Sequence, residues 1–180
     1  MQPELLRNLL GGTLEHDENL TTIIVTLILQ PIQMQAMAAH AEQTYPEECC
    51  GLLLGIFDAV NDCAQVQEVR PVHNTWTEAV NPFVEGDRQT QSVSKHNRFW
   101  IDPSILLAAQ RECRDRGWTV LGFYHSHPDH PAVPSARDQQ LAWSGYAYPI
   151  LSVTAQQVTA VQSWRLNDHG QFTVEMIQIR

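Results

Sequence analysis

The sequence predicts an α/β domain, a mixed central β-sheet flanked by helices. Two observations carry that expectation. Strand-like and helix-like segments alternate through most of the chain, and it then closes in three consecutive strand-like runs, YPILSVT, TAVQSWRL and FTVEMIQI. A length of 180 residues suits a single core, and a composition of 43% AVILMFWYC with 17% charged residues supplies enough apolar surface to fold one.

The elements follow in order. Residues 1–20 are acidic, carry Gly11 and Gly12, and are expected to be an N-terminal appendage to a single domain over 21–180. TTIIVTLIL at 21–29 is rich in β-branched residues and reads as a strand. Pro31 then sits where proline favours a first helical turn, and Ile32, Met34, Met37, Ala38 and Ala41 recur near helical spacing until Pro46. CGLLLGIF is a continuous apolar run marked by Gly51 and Gly55, the pattern of a strand buried on both faces. AQVQEVRPV at 64–72 alternates as a further strand.

Residues 73–98 show no period and read as a long loop; loops beyond about 12–15 residues commonly bind something or act as lids. This loop is the candidate for substrate contact, with a merely variable loop as the plain alternative, and Trp76 within it is a candidate groove-lining aromatic. Pro103 and Gly117 bracket a helix with proline inside its start and glycine past its end. WTVLGFYHSHP then reads as a strand ending at Pro128, PDHPAVP as a loop, and SARDQQLAW as a helix.

Bulk properties exclude several classes. With 11 Lys+Arg against 20 Asp+Glu the formal net charge is -9, so the surface repels phosphate backbones and nucleic acid is not an expected partner. The four cysteines form no CxxC pair and are expected to be reduced, with Cys49 and Cys50 serving as small apolar residues. MQPELLRNLL lacks a basic segment followed by a long apolar stretch, and the best apolar run, 23–29, is far short of the ~20 residues that span a bilayer. A cytoplasmic protein without a membrane segment is expected.

The chemistry gathers after the strand-like WTVLGFY. Side chains two apart on a strand share a face, so His125 and His127 make a chelating pair with Ser126 turned away. Asp138 lies in the first turn of the next helix, after a proline-rich loop short enough to fold its carboxylate back. Two imidazoles and one carboxylate leave one tetrahedral position open for water, the pattern of catalytic rather than structural zinc. Two plainer readings stand beside this one: Ser135-x-x-Asp138 also has the form of a capping box, and an HxH pair alone is a weak signal. His130 reads as a solvated loop histidine, and His73, His96 and His169 carry no spacing signal.

The string His125-Ser126-His127-Pro128 followed by Ser135 and Asp138 resembles the H-S/T-H-P-x6-S-x2-D signature of the JAMM metalloproteases, or MPN-plus domains. Upstream, PEECCGLLLG at 46–55 resembles the segment that carries that family's glutamate, and its Pro-x-Glu order points to Glu48. The resemblance extends from about residue 21 to the end of the chain and implies a JAMM/MPN, cytidine-deaminase-like architecture. It implies zinc held by His125, His127 and Asp138, Glu48 as general acid/base, and Ser135 as a donor to the tetrahedral oxyanion.

It further implies cleavage of peptide or isopeptide bonds after the C-terminal Gly-Gly of ubiquitin-like proteins, small sulfur carriers being the substrates suggested by short single-domain members. Two alternatives remain at this stage. One is a non-catalytic interaction scaffold of the MPN type. The other is a site for non-haem iron, which would leave Ser135 and Glu48 without a role.

Overall fold

A computed structural model describes residues 25–80 and 93–180. The expected appendage 1–20, the first residues of the expected strand at 21–29 and the middle of the 73–98 loop lie outside the described residues. The elements run β1 (Thr26–Leu29), α1 (Pro31–Thr44), β2 (Cys50–Asp58), β3 (Cys63–Val72), a short 3-10 turn (Glu78–Val80), α2 (Pro103–Arg116), β4 (Thr119–Pro128), α3 (Ala136–Leu141), β5 (Tyr148–Thr154), β6 (Gln157–Leu166) and β7 (Phe172–Ile179). The helix expected over SARDQQLAW stops at Leu141, short of Ala142 and Trp143.

The sheet is mixed, as expected: β4 and β5 are parallel, while β2 runs antiparallel to both β3 and β4. The expectation of a simple central sheet flanked by helices needs one correction, because the strands close into a barrel in the order β1-β3-β2-β4-β5-β6-β7. The closing strand is β1, which pairs in parallel with β3 on one side and β7 on the other. Pairing between the two ends of a chain leaves no trace in local periodicity, so the closure is invisible in the sequence.

Helices nonetheless cover both faces, and β2 shows why its apolar run is unbroken. Leu53 points into a core with Met37 and Ala41 of α1, Leu27, Leu121 and Leu151. Leu52 and Leu54 point into a second core with Ala109 and Cys113 of α2, Val72 and Val120. Burying a large aliphatic side chain is worth about 1.5–3 kcal/mol, so Leu52, Leu53 and Leu54 tie both cores to one strand.

Helix α2 begins at an Asp102 side chain that accepts from the Ser104 N–H at 2.8 Å. It ends at Gly117, whose φ of 67° is the left-handed conformation glycine adopts without strain. Arg70 of β3 bonds Glu68 at 2.6 Å and Glu112 of α2 at 2.8 Å, tying the helix across the sheet.

Strand register sets up the site. Cys50 pairs with His125, so the first residues of β2 lie beside the histidine end of β4. Beyond Cys50 the ladder continues through Ser126, whose N–H donates to the Cys49 carbonyl at 3.2 Å and whose hydroxyl accepts from the Cys49 N–H at 2.8 Å. Ser126 therefore does turn away from the histidines, and it uses that orientation to hold the segment carrying Glu48. At the other end of β4, a Cβ on Gly122 would strike the Ala147 carbonyl, so only glycine lets the strand meet its neighbour there. No helix among the described residues is long and apolar enough to cross a membrane.

Candidate metal centre

β4 presents His125 and His127 on one face with their Nε2 atoms 3.0 Å apart. Asp138 reaches back to both: Oδ1 lies 3.4 Å from His125 Nε2, and Oδ2 lies 3.5 Å from His127 Nε2. One ligand atom from each residue falls within 4.8 Å of the others. Among the described residues this is the one grouping of His, Cys, Asp or Glu able to hold a metal ion.

The return of Asp138 depends on how the proline-rich loop is pinned. The Asp129 N–H donates to the Val153 carbonyl at 2.7 Å, the Ser152 hydroxyl to the His130 carbonyl at 2.7 Å, and the Trp164 indole to the Ala132 carbonyl at 2.9 Å. Asp129 adopts a positive φ of 55°, which turns the chain sharply after the strand. His130 contributes its carbonyl to this pinning and lies exposed, as its reading as a loop residue anticipated.

The donor set fits a zinc-like cation. Around a tetrahedral ion with ligands at about 2.0–2.1 Å, ligand atoms stand roughly 3.3 Å apart, close to the separations between the imidazoles and the carboxylate. His127 Nδ1 lies 3.0 Å from the Pro131 carbonyl, so its proton belongs there and the Nε2 lone pair faces the cluster. Without a cation, nothing but a shared proton eases the approach of two imidazole lone pairs. His125 and His127 are buried, Asp138 is half-buried and Ser135 is exposed, which puts the open side of the cluster toward α3.

Ser135 and Asp138 form the capping box as well. The Ser135 N–H and hydroxyl donate to Asp138 Oδ2 at 2.7 and 2.6 Å, while the Asp138 N–H donates to Ser135 Oγ at 3.1 Å. The plain reading holds, and the carboxylate that caps the helix also faces the histidines. Burial disfavours charge on Asp138, but His125, the hydrogen bonds from both histidines and that from Ser135 hold its carboxyl far below the usual range. Burial lowers His125; at His127 burial is outweighed by Asp138, Glu48 and the Pro131 carbonyl, and the imidazole is raised.

Glu48 is 7% exposed. Burial pushes its carboxyl up to about 8, with His127 opposing, Asp138 adding to the rise, and Arg98 and Arg137 opposing. Its backbone is clamped on both sides: its N–H donates to the Lys95 carbonyl at 2.7 Å and its carbonyl accepts from Asn74 at 3.0 Å. Cys49 and Cys50 are buried free thiols, as expected, and burial pushes Cys49 up to about 12, away from nucleophilic use.

Two contributions had no signal in the sequence. Phe99 stacks on His125 with ring centroids 4.6 Å apart, and Asn74 holds Glu48. Trp76, a candidate for a groove wall, is instead buried at 5% exposure.

The model built from prokaryotic homologs of the JAB domain matches residues 32–167, a span that includes Glu48, both histidines, Ser135 and Asp138. The chain belongs to this family. Within it, the chain is 34% identical over 108 residues to a desampylase of Haloferax volcanii, covering 59% of this chain and 63% of the relative's own length. It is 25% identical over 157 residues to the CysO-cysteine peptidase of Mycobacterium tuberculosis, covering 87% of this chain and 92% of that one. The solution structure of a Desulfitobacterium hafniense protein superposes with a TM-score of 0.66 at 33% identity, over 86% of this chain and 92% of that one.

Proposed function

We propose that this JAB-family chain is a zinc-dependent peptidase or isopeptidase that cuts after the C-terminal Gly-Gly of ubiquitin-like proteins of the sulfur-carrier kind. The observation that carries the proposal is the convergence of His125, His127 and Asp138 with a buried carboxylate, Glu48, beside them. Relatives named as a desampylase and a CysO-cysteine peptidase support the substrate class.

In this reading His125 and His127 hold the ion through Nε2, and Asp138 through a carboxylate oxygen. When bound, zinc supplies Lewis acidity toward a carbonyl oxygen and makes water more acidic. Glu48, which a bound cation would favour in its ionised form, accepts the proton of the attacking water. Its raised carboxyl then returns that proton to the departing nitrogen, so one residue serves as base and acid in turn. The Ser135 hydroxyl, now donated to Asp138 Oδ2, turns its hydrogen toward the oxygen on which charge develops. No covalent intermediate with the protein is needed.

An extended substrate tail suits such a buried cluster, because glycine alone lets a backbone approach closely without a side chain in the way. The test is direct. Zinc-loaded protein is incubated with C-terminally extended ubiquitin-like sulfur carriers and the products are weighed by mass spectrometry. Release after Gly-Gly, abolished by chelator and by Glu48→Gln, is the expected outcome. A panel left intact by the zinc-loaded protein would overturn the hydrolase reading and favour a partner-binding scaffold.

A further inference from the structure

Resting on that reading of Glu48, we propose that Asn74 is a positioning residue for catalysis: its side-chain amide fixes the Glu48 backbone relative to the segment that lays Phe99 on His125. Asn74 is 4% exposed, and every hydrogen-bonding position of its amide is used. Nδ2 donates to the Glu48 carbonyl at 3.0 Å and to the Arg98 carbonyl at 2.9 Å. Oδ1 accepts from the Trp76 N–H at 3.0 Å and the Trp100 N–H at 3.2 Å. A planar group offering two donors and two acceptors at this length is available from asparagine alone among the natural side chains.

The surroundings make those four bonds consequential. On one side Glu48 is continuous with Cys49, which Ser126 of β4 holds through two hydrogen bonds. On the other side its N–H and carbonyl meet the returning loop, through Lys95 and Asn74, while Glu47 before it donates to the Thr44 carbonyl at 3.0 Å. Thr75 reinforces that loop, its N–H and hydroxyl both donating to the Trp100 carbonyl at 3.0 Å. Phe99 stands between two residues that Asn74 grips, Arg98 and Trp100, and its ring stacks on His125 at an interplanar angle of 27°.

Asn74 thus sets the distance between the acid/base carboxylate and the imidazole under Phe99, while touching neither a metal-ligand atom nor the reacting bond. A displacement of a catalytic group by about 1 Å is enough to cost roughly 100-fold in rate. The metal ligands sit on β4 and α3, where the strand ladders hold His125 besides the Phe99 ring, so losing Asn74 should spare the ion.

Asn74→Asp is nearly isosteric, keeps the acceptor, and sets an oxygen against the Glu48 and Arg98 carbonyls in place of the donors. The expected result is kcat lower by about 100-fold, with KM and the zinc dissociation constant, measured by chelator competition, each within about threefold of wild type. In a Glu48→Gln background the same substitution should add less than about twofold, whereas damage unrelated to Glu48 would multiply. Thr75→Val removes a loop bond without touching Glu48 and should keep kcat within about twofold. An unchanged kcat in Asn74→Asp, or a loss that multiplies with Glu48→Gln, overturns the proposal.

Amide exchange gives a reading independent of turnover. In the unaltered protein the Glu48, Trp76 and Trp100 amides should exchange as one unit, with protection matched within about threefold. A Glu48 amide that outlasts the other two by more than about tenfold overturns the proposal even if no variant folds. Should wild type cleave nothing, the hydrolase reading fails by itself and exchange still decides the clamp.

Discussion

The two halves of the candidate site are held by different kinds of structure. His125, His127 and Asp138 come from adjacent stretches of chain, fixed by the β4–β5 ladder, a loop pinned to β5 and β6, and the capping box of α3. Glu48 comes from the segment just before β2 and is fixed by residues far from it in sequence, Asn74 and Lys95 on one side and, through Cys49, Ser126 on the other. The lesson is that Glu48 has supports of its own beyond β4, so turnover can fail while metal binding stays.

The largest expected effect breaks the histidine side. His127→Ala or Asp138→Ala removes a ligand, and both zinc binding and activity should be lost together, with activity down by about 10⁴-fold or more. Glu48→Gln should lower activity by about 10²–10⁴-fold while zinc affinity stays within a few-fold. Zinc content by metal analysis after gel filtration, beside turnover, separates the two. A Glu48→Gln protein that loses its zinc would erase the distinction between the halves.

The same division explains what the sequence disclosed. The histidine side was legible because strand periodicity alone puts residues two apart on one face, and Ser135-x-x-Asp138 announces a helix start whichever role its carboxylate plays. The buried apolar β2 and the bracketed α2 were legible for the same reason: local pattern and local geometry coincide. Glu48 was reached only through a family resemblance, since a glutamate beside two cysteines has no spacing to betray it. Asn74, Phe99 and the closure of β1 on β7 depend on contacts between distant segments, and a lone asparagine or phenylalanine in an aperiodic loop carries no mark of them.

A smaller effect sharpens the comparison at the point where the halves meet. Ser135 belongs to the histidine side as a cap and to the reaction as an oxyanion donor. Ser135→Ala should therefore lower kcat by about 10²–10³-fold, the usual loss for one such donor. As loss of a helix cap it should also cost about 1 kcal/mol of stability in chemical denaturation. If Ser135→Ala costs stability alone and kcat holds, the hydroxyl is a cap and nothing more.

The smallest effect concerns stability in the chelated protein and reverses the usual sign of a mutation. The Glu48 carboxyl titrates near 4.5 when unfolded and is pushed up to about 8 by burial in the fold. Between those values the unfolded chain has shed a proton that the folded chain retains, so stability falls as pH rises through this window. Glutamine has no proton to lose. Glu48→Gln should then be more stable than wild type by on the order of 3 kcal/mol near neutral pH, and the gain should vanish toward pH 4. The histidines and Asp138 titrate in both proteins, and because Glu48 and His127 shift each other, paired urea melts across pH compare the coupled Glu48–His127 titration with that of His127 alone. A bound divalent cation favours the ionised carboxylate, and adding zinc should shrink the gain. Parallel curves for the two proteins would mean that the acid/base residue is not the strained half of the site, and the cost of holding it would have to be sought among the ligands instead.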